Sequence, residues 1–245
     1  MIDLSGSVLL NLGCGYKTCD GEGVVNVDYG VFQRLAVSRV LRRVAPILIG
    51  PSRAQKLNRI TPGRLVVYDI SRGIPAAENS VGAVYHSHML EHLDRDVAVD
   101  FMREVRRVLK PGGIQRIAVP DLEQSVRSYL AHLDSDEGAE KHDEYVTDLL
   151  EQSVRREASG TSVQRQPRRF IENLLLGDAR RRGETHQWMY DRMNLSHLLS
   201  HTGFTNIQAC SFGESAIPKW ASYGLELDDF GREYKPRTLY MEGTA

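Results

Sequence analysis

A chain of 245 residues with 41% hydrophobic and 26% charged residues has room for one large α/β domain carrying an insertion. Its net charge of −1 supplies no global attraction to nucleic acid or to a membrane, and its apolar runs are too short to span a bilayer. Cys14, Cys19 and Cys210 form neither a metal-binding spacing nor a disulfide framework. The amino terminus lacks a basic region followed by an apolar core, so a cytoplasmic location is expected.

Taken in order, the first apolar run, Val8 to Leu10 with Leu12, stops at Gly13 and Gly15, and a second, Val24 to Val27, ends on Asp28. Two glycines one residue apart let the backbone turn sharply and lie against a ligand. An acid closing the next strand can accept both hydroxyls of a ribose. The pair predicts a nucleoside-binding crevice. Thr18 stands where a dinucleotide fingerprint needs its third glycine, and there is no Gly-x-x-x-x-Gly-Lys loop. S-adenosylmethionine, a nucleoside without phosphates, fits better than NAD or ATP.

Val31 to Leu48 has apolar residues at helical spacing with Arg34, Arg39, Arg42 and Arg43 between them, and reads as an amphipathic surface helix. Arg64 to Asp69 is a third strand ending on an acid, and Gly82 to Tyr85 a fourth, leading into His86–Leu93. Asp94 to Leu109 is a helix with Val97, Phe101, Val105 and Val108 on one face, closed by a turn at Lys110-Pro111-Gly112-Gly113. Ile114 to Val119 is a fifth strand. Such alternation predicts an α/β fold, a doubly wound and mostly parallel sheet with helices on both faces.

From Asp121 the pattern changes to an acidic and then a basic half. Helices are expected at Leu122–Leu133, Tyr145–Arg156 and around Phe170–Leu176, with a break at Ser159–Ser162. A segment placed after the fifth strand suits a substrate lid as well as a solvated insert. A helix at Tyr190–His201 and strands at Asn206–Ser211 and Thr238–Glu242 bring the sheet to seven strands, with Phe212–Arg237 mostly loop.

These elements, in this order, resemble the class I S-adenosylmethionine-dependent methyltransferases, whose fold is a Rossmann-like seven-stranded sheet. Leu12-Gly13-Cys14-Gly15 is similar to the motif that contacts the methionine portion of the cofactor, and Asp28 to the ribose-binding acid. Asp69-Ile70, followed by Pro75 and Asn79-Ser80-Val81, resembles the segment whose acid bonds the adenine amino group. Asn11 stands where the family usually has an acid, and Gly15 lies close to the second strand, so the usual first helix is expected to be curtailed. The resemblance implies Asn11, Gly13, Cys14, Gly15, Asp28, Asp69, Ile70 and His86 as cofactor-binding residues. It divides the chain into a methyltransferase domain, residues 1–120 and 186–245, and a helical insert, 121–185.

His88-Met89-Leu90-Glu91-His92 also matches the inverted zinc-protease motif, but that motif needs both histidines on one helix and this segment leaves a strand. It resembles instead the Glu-x-x-Glu-His of plant small-RNA 2′-O-methyltransferases and ubiquinone-pathway O-methyltransferases, with His88 replacing the first glutamate. That resemblance implies a divalent metal held by His88, Glu91, His92 and, from His186-Gln187-Trp188, His186. Such a donor set suits zinc, manganese, iron or cobalt better than magnesium and leaves the metal's identity open. Without a metal, His88 or His186 is the candidate catalytic base; a third reading makes the histidines structural. His132, His142, His197 and His201 are expected on helix surfaces.

The leading expectation is an O-methyltransferase acting on a hydroxylated small molecule, a sugar or glycoside foremost, because vicinal hydroxyls can chelate a metal. RNA 2′-O-methylation is the alternative, disfavoured because the basic stretch Arg155–Arg182 holds one aromatic residue, Phe170. A cofactor- or partner-binding protein without turnover is the third. Neither nucleic acid nor membrane is an expected partner, and the oligomeric state stays open.

Overall fold

A computed structural model describes residues 2–61, 64–134, 138–152 and 185–245. The apolar runs become parallel strands β1 (Leu9–Leu12), β2 (Val24–Asp28), β3 (Leu65–Val67), β4 (Val81–Ser87) and β5 (Leu109–Pro120). With β6 (Thr205–Cys210) and β7 (Thr238–Thr244) they form one sheet of order β3-β2-β1-β4-β5-β7-β6, in which β7 runs antiparallel to both neighbours. The expected doubly wound, mostly parallel seven-stranded sheet is what the chain forms.

The single helix expected over Val31–Leu48 is broken into α1 (Val31–Val37) and α2 (Arg39–Ile49), and α3 (Pro51–Arg59) follows. Ser38 takes an extended conformation and its hydroxyl accepts the Leu41 amide, ending one helix and capping the next. Gly50, at φ +81°, makes the following corner. The remaining α-helices among the described residues are α4 (Arg95–Val108), α5 (Leu122–Leu133), α6 (Ala139–Gln152), α7 (Arg192–His201) and α8 (Trp220–Tyr223). Thus α6 begins six residues before the expected Tyr145, while the helix expected at Phe170–Leu176 and the break at Ser159–Ser162 lie outside the described residues. Lys110–Gly113 belongs to β5 rather than to a free turn, with a register shift opposite Val81–Ala83. A Cβ at Gly113 would lie 2.9 Å from the Gly82 and Lys110 carbonyl oxygens, so only glycine fits that approach.

Period-two alternation sends Leu10, Leu12, Val84, Ile117, Val119 and Met241 to one face, under α4 and α7. Leu9, Ala83, Tyr85, Ala118 and Tyr240 point to the other, where Ile217, Trp220 and Leu225 cover them. The centre of that second face is therefore covered by the segment between β6 and β7, whose helix α8 has four residues, rather than by a long helix. One buried side chain explains how irregular chain can lie there. Arg116, 0% exposed, gives Nε and Nη2 to the Glu226 carboxylate at 2.9 and 2.6 Å. Its remaining three N–H bonds go to Glu242 and to the Glu214 and Ser211 carbonyls, all at 2.8 Å. Every donor of the guanidinium is satisfied, and the irregular segment is fixed to β5 and β7.

The curtailed first helix is absent altogether: residues 16–23 return to β2 without one. On this same face Asn11 donates to the Lys17 carbonyl and to Asn26 Oδ1, both at 2.9 Å, while Asn26 binds the Cys19 amide and carbonyl. Two buried amides thus satisfy backbone groups that a helix would have satisfied internally.

Candidate active site

Gly13 and Gly15 both take positive φ, +60° and +52°. A Cβ at Gly13 would lie 2.7 Å from Met89 Sδ, whereas one at Gly15 would meet nothing within 4 Å. Gly13 is thus packed against the segment after β4, and Gly15 faces open space above the sheet edge. Asp28 accepts the Gly15 amide through Oδ2 and the Gly30 amide through Oδ1, each at 2.8 Å. Gln33 of α1 closes the turn from outside, donating to the Gly15 carbonyl at 2.7 Å. The predicted trio Gly13, Gly15 and Asp28 is one connected unit.

The other proposed cofactor contacts are placed differently. Asn11 is committed to the loop 16–23 as described. Cys14 is buried against Ala36, Leu57, Ile60 and Leu65, and burial pushes its thiol well above the usual range. Asp69 lies two residues beyond the end of β3, not on the strand as expected: its Oδ1 accepts the Ser71 amide at 3.1 Å and hydroxyl at 2.7 Å, capping a short 3-10 turn at Ile70–Arg72. The Ser71 hydroxyl holds this carboxylate below its usual pKa. Ile70 packs partly into the main core. His86 pairs with Leu12 across β1 and β4, is 0% exposed, stacks edge-on against Phe101, and among the described residues finds no hydrogen-bond partner for either nitrogen. Burial depresses its pKa to about 4, so it is a neutral core residue.

Leu90–His92 is a single 3-10 turn, not the long helix a protease motif needs. Ligand atoms of Glu91, His92 and His186 lie within 4.8 Å of one another, bringing together three of the four predicted metal-binding residues. His88 stands on the other side of Glu91, Nδ1 being 3.4 Å from Oε1. The strap that delivers His186 is held by its backbone: the Gln187 and Trp188 amides donate to the Glu91 carbonyl at 2.7 and 3.2 Å.

Hydrogen bonds pin both imidazoles next to Glu91. Thr238 donates its one hydroxyl proton to the Lys235 carbonyl at 2.7 Å, so it can only accept from His88 Nε2, 3.1 Å away. His92 Nδ1 lies 3.2 Å from the Thr185 carbonyl and must be its donor. In the neutral rings the lone pairs on His88 Nδ1 and His92 Nε2 therefore face Glu91 Oε1, at 3.4 and 3.9 Å. Glu91 is 1% exposed, and among the described residues the nearest side-chain polar atoms to its carboxylate are those of the two histidines, an interaction with His88 that pulls its pKa down against the effect of burial. With both rings neutral, three electron-rich groups converge, an arrangement suited to a cation. Metal-ligating histidines typically donate their other N–H to a carbonyl or hydroxyl in just this way.

The surrounding charges fit this picture. Burial lowers the His92 pKa, and His186 lowers it further against the opposing pull of Glu91. Burial also lowers Lys235, the nearby basic side chain, again opposed by Glu91. Sequence reasoning missed Met89, Gln33, Thr185, Thr238 and Lys235. Only Met89 had a signal, its place inside the histidine motif. His132 corrects another expectation: it is 6% exposed, stacked between His142 and Tyr145 where α5 meets α6, while His197 and His201 are on the surface.

Residues 30–117 match a family model described as a methyltransferase domain, a span that runs from α1 into β5 and includes His86–His92. No curated protein sequence is detectably similar to the chain. Solved structures similar to it include a SAM-dependent methyltransferase from Archaeoglobus fulgidus, 12% identical over 99% of this chain and 88% of that one, TM-score 0.47. Another is a putative O-methyltransferase from Nostoc punctiforme, 10% identical over 98% of this chain and 52% of that one, TM-score 0.43. A third is the 1,6-didemethyltoxoflavin-N1-methyltransferase of Burkholderia thailandensis, 14% identical over 98% and 71%, TM-score 0.41. The match to a methyltransferase domain thus rests on residues 30–117, and the sheet order with its antiparallel β7 shows the doubly wound, Rossmann-like fold.

Proposed function

We propose that this protein is an O-methyltransferase that uses S-adenosylmethionine to methylate a hydroxyl of a small molecule, a sugar or glycoside, beside a divalent metal. Asp28 would take the ribose hydroxyls, the Gly13–Gly15 turn the methionine portion and Asp69 the adenine amine. Glu91, His92 and His186 would hold the metal, with His88 as a fourth donor or as a base. The observation that carries the reading is the buried Glu91 carboxylate with His88 Nδ1 and His92 Nε2 at 3.4 and 3.9 Å, and ligand atoms of Glu91, His92 and His186 within 4.8 Å of one another.

Methyl transfer is an in-line displacement: the acceptor oxygen forms a bond to the methyl carbon as the carbon–sulfur bond breaks and its electron pair returns to sulfur. The hydroxyl must lose its proton, and His88, whose side chain is 17% exposed, is the candidate to take it. A bound divalent ion would lower the hydroxyl pKa by several units and fix its position. The chain's own residues orient the two reactants; holding them in line accounts for much of the acceleration. Helices α5 and α6 leave the carboxyl end of β5, and Asp148 of α6 pairs with Arg237, next to Thr238, which supports a lid role for the 121–185 insert.

The test is methyl transfer to a panel of sugars and glycosides before and after chelation. Loss on chelation and recovery with a divalent ion supports the metal reading. Full activity of the chelated enzyme assigns the proton to a histidine base instead. Cofactor binding without transfer to any acceptor, metal supplied, supports a non-catalytic role.

A further inference from the structure

The net charge of −1 averages away a strong segregation. From Val31 to Arg64 the chain carries eight arginine and lysine residues and no aspartate or glutamate. Within this segment the first half of α2 turns apolar side chains outward. Arg42 turns toward the domain, donating to the Ile60 carbonyl at 2.9 Å. Val40, about 200° around the helix from Arg42, points away from it. Val40, Leu41 and Val44, adjacent on one face, are 70%, 49% and 46% exposed, and Val37 just before the helix is 45% exposed. An exposed apolar stripe flanked by the arginines Arg39 and Arg43 has the composition of an interaction surface.

We propose that α2 lies on an anionic lipid surface, its valines and leucine entering the acyl boundary and the arginines that flank them meeting lipid headgroups. This is how basic amphipathic helices bind the plane of a membrane without crossing it; no described helix is long and apolar enough to cross one. A second copy of the chain fits worse, because self-pairing would oppose two strongly basic surfaces. Nucleic acid fits worse too, since the exposed apolar side chains of α2 are aliphatic and offer no stacking surface. Through Gln33 of α1, which binds the Gly15 carbonyl, the same segment is joined to the turn of the active site.

The experiment is flotation of the full chain with phosphatidylcholine vesicles, with and without phosphatidylglycerol, at low and high salt. The expected result is binding to the anionic vesicles, about tenfold weaker for neutral ones and falling with salt. Val40→Asn/Val44→Asn and Arg39→Glu/Arg43→Glu, all at surface positions, should each weaken binding about tenfold without moving the melting temperature. No binding to anionic vesicles would overturn the proposal, as would equal binding by the parent and both variants. So would a dimer in sedimentation lost in the Val40/Val44 variant, or arginine-dependent retention of RNA without vesicle binding.

Discussion

The Gly15 amide donates to Asp28 Oδ2 at 2.8 Å, so the acid at the end of β2 also holds the glycine turn at the end of β1. One side chain shapes the crevice and presents its charge to it. Asp28→Ala should weaken S-adenosylmethionine binding by roughly 1–3 kcal/mol, because ribose hydroxyls would be left unpaired and the turn loosened. Isothermal calorimetry reads this directly, and unchanged affinity would remove Asp28 from the cofactor site.

Gly13→Ala separates strain from steric conflict. At φ +60° an alanine is strained by about 1 kcal/mol, and its Cβ would also meet the far end of a flexible side chain, Met89 Sδ, at 2.7 Å. Urea unfolding should show a loss somewhat above 1 kcal/mol in the single variant. Adding Met89→Ala should remove the steric part only. Additive losses in the pair would deny the contact.

Thr238→Val removes the hydroxyl that accepts from His88 Nε2 while nearly preserving shape. If His88 contributes to the metal, the ion concentration for half-maximal activity should rise about 10-fold, the usual scale for such supporting groups. Cofactor affinity should stay as it was. An unchanged metal dependence would confine His88 to the role of base.

His86 carries a pH dependence whose sign follows from its burial. Its pKa is depressed to about 4 in the folded chain from an ordinary 6.5. Between these values the unfolded chain binds the extra proton, so stability is full above about pH 6.5 and declines as pH falls toward 4, by about 3 kcal/mol at most. His86→Phe should flatten that part of the stability profile. Chemical denaturation at several pH values is the measurement, and parallel profiles would show that other groups dominate.

Arg116→Met should destabilise the fold by about 3–5 kcal/mol, since Glu226 and Glu242 would remain buried without their cation. Neutralising all three, with Glu226→Gln and Glu242→Gln, should recover a large part of that loss. Failure to recover would mean that the hydrogen bonds to the Ser211 and Glu214 carbonyls matter more than the charges.

The strand pattern, the two glycines, the acid that ends β2 and the one that follows β3 were all legible in the sequence. Alternation of period two and a turn demanding positive φ are local properties, which neighbours in sequence decide by themselves. So was the doubly wound fold, because those local signals recur in a set order. Other features rest on residues distant in the chain. That Asn11 holds a loop and not a helix depends on Asn26 and Lys17. The buried Arg116 joins β5 to Glu226 and Glu242, more than a hundred residues away. His86 looked like a cofactor contact but lies in the core beneath Phe101. The lone pairs aimed at Glu91 depend on Thr185 and Thr238, whose contacts with the histidines no spacing rule encodes. A motif names the donors; only the packed chain decides which atom of each donor faces the others, because hydrogen bonds to remote residues choose the tautomer.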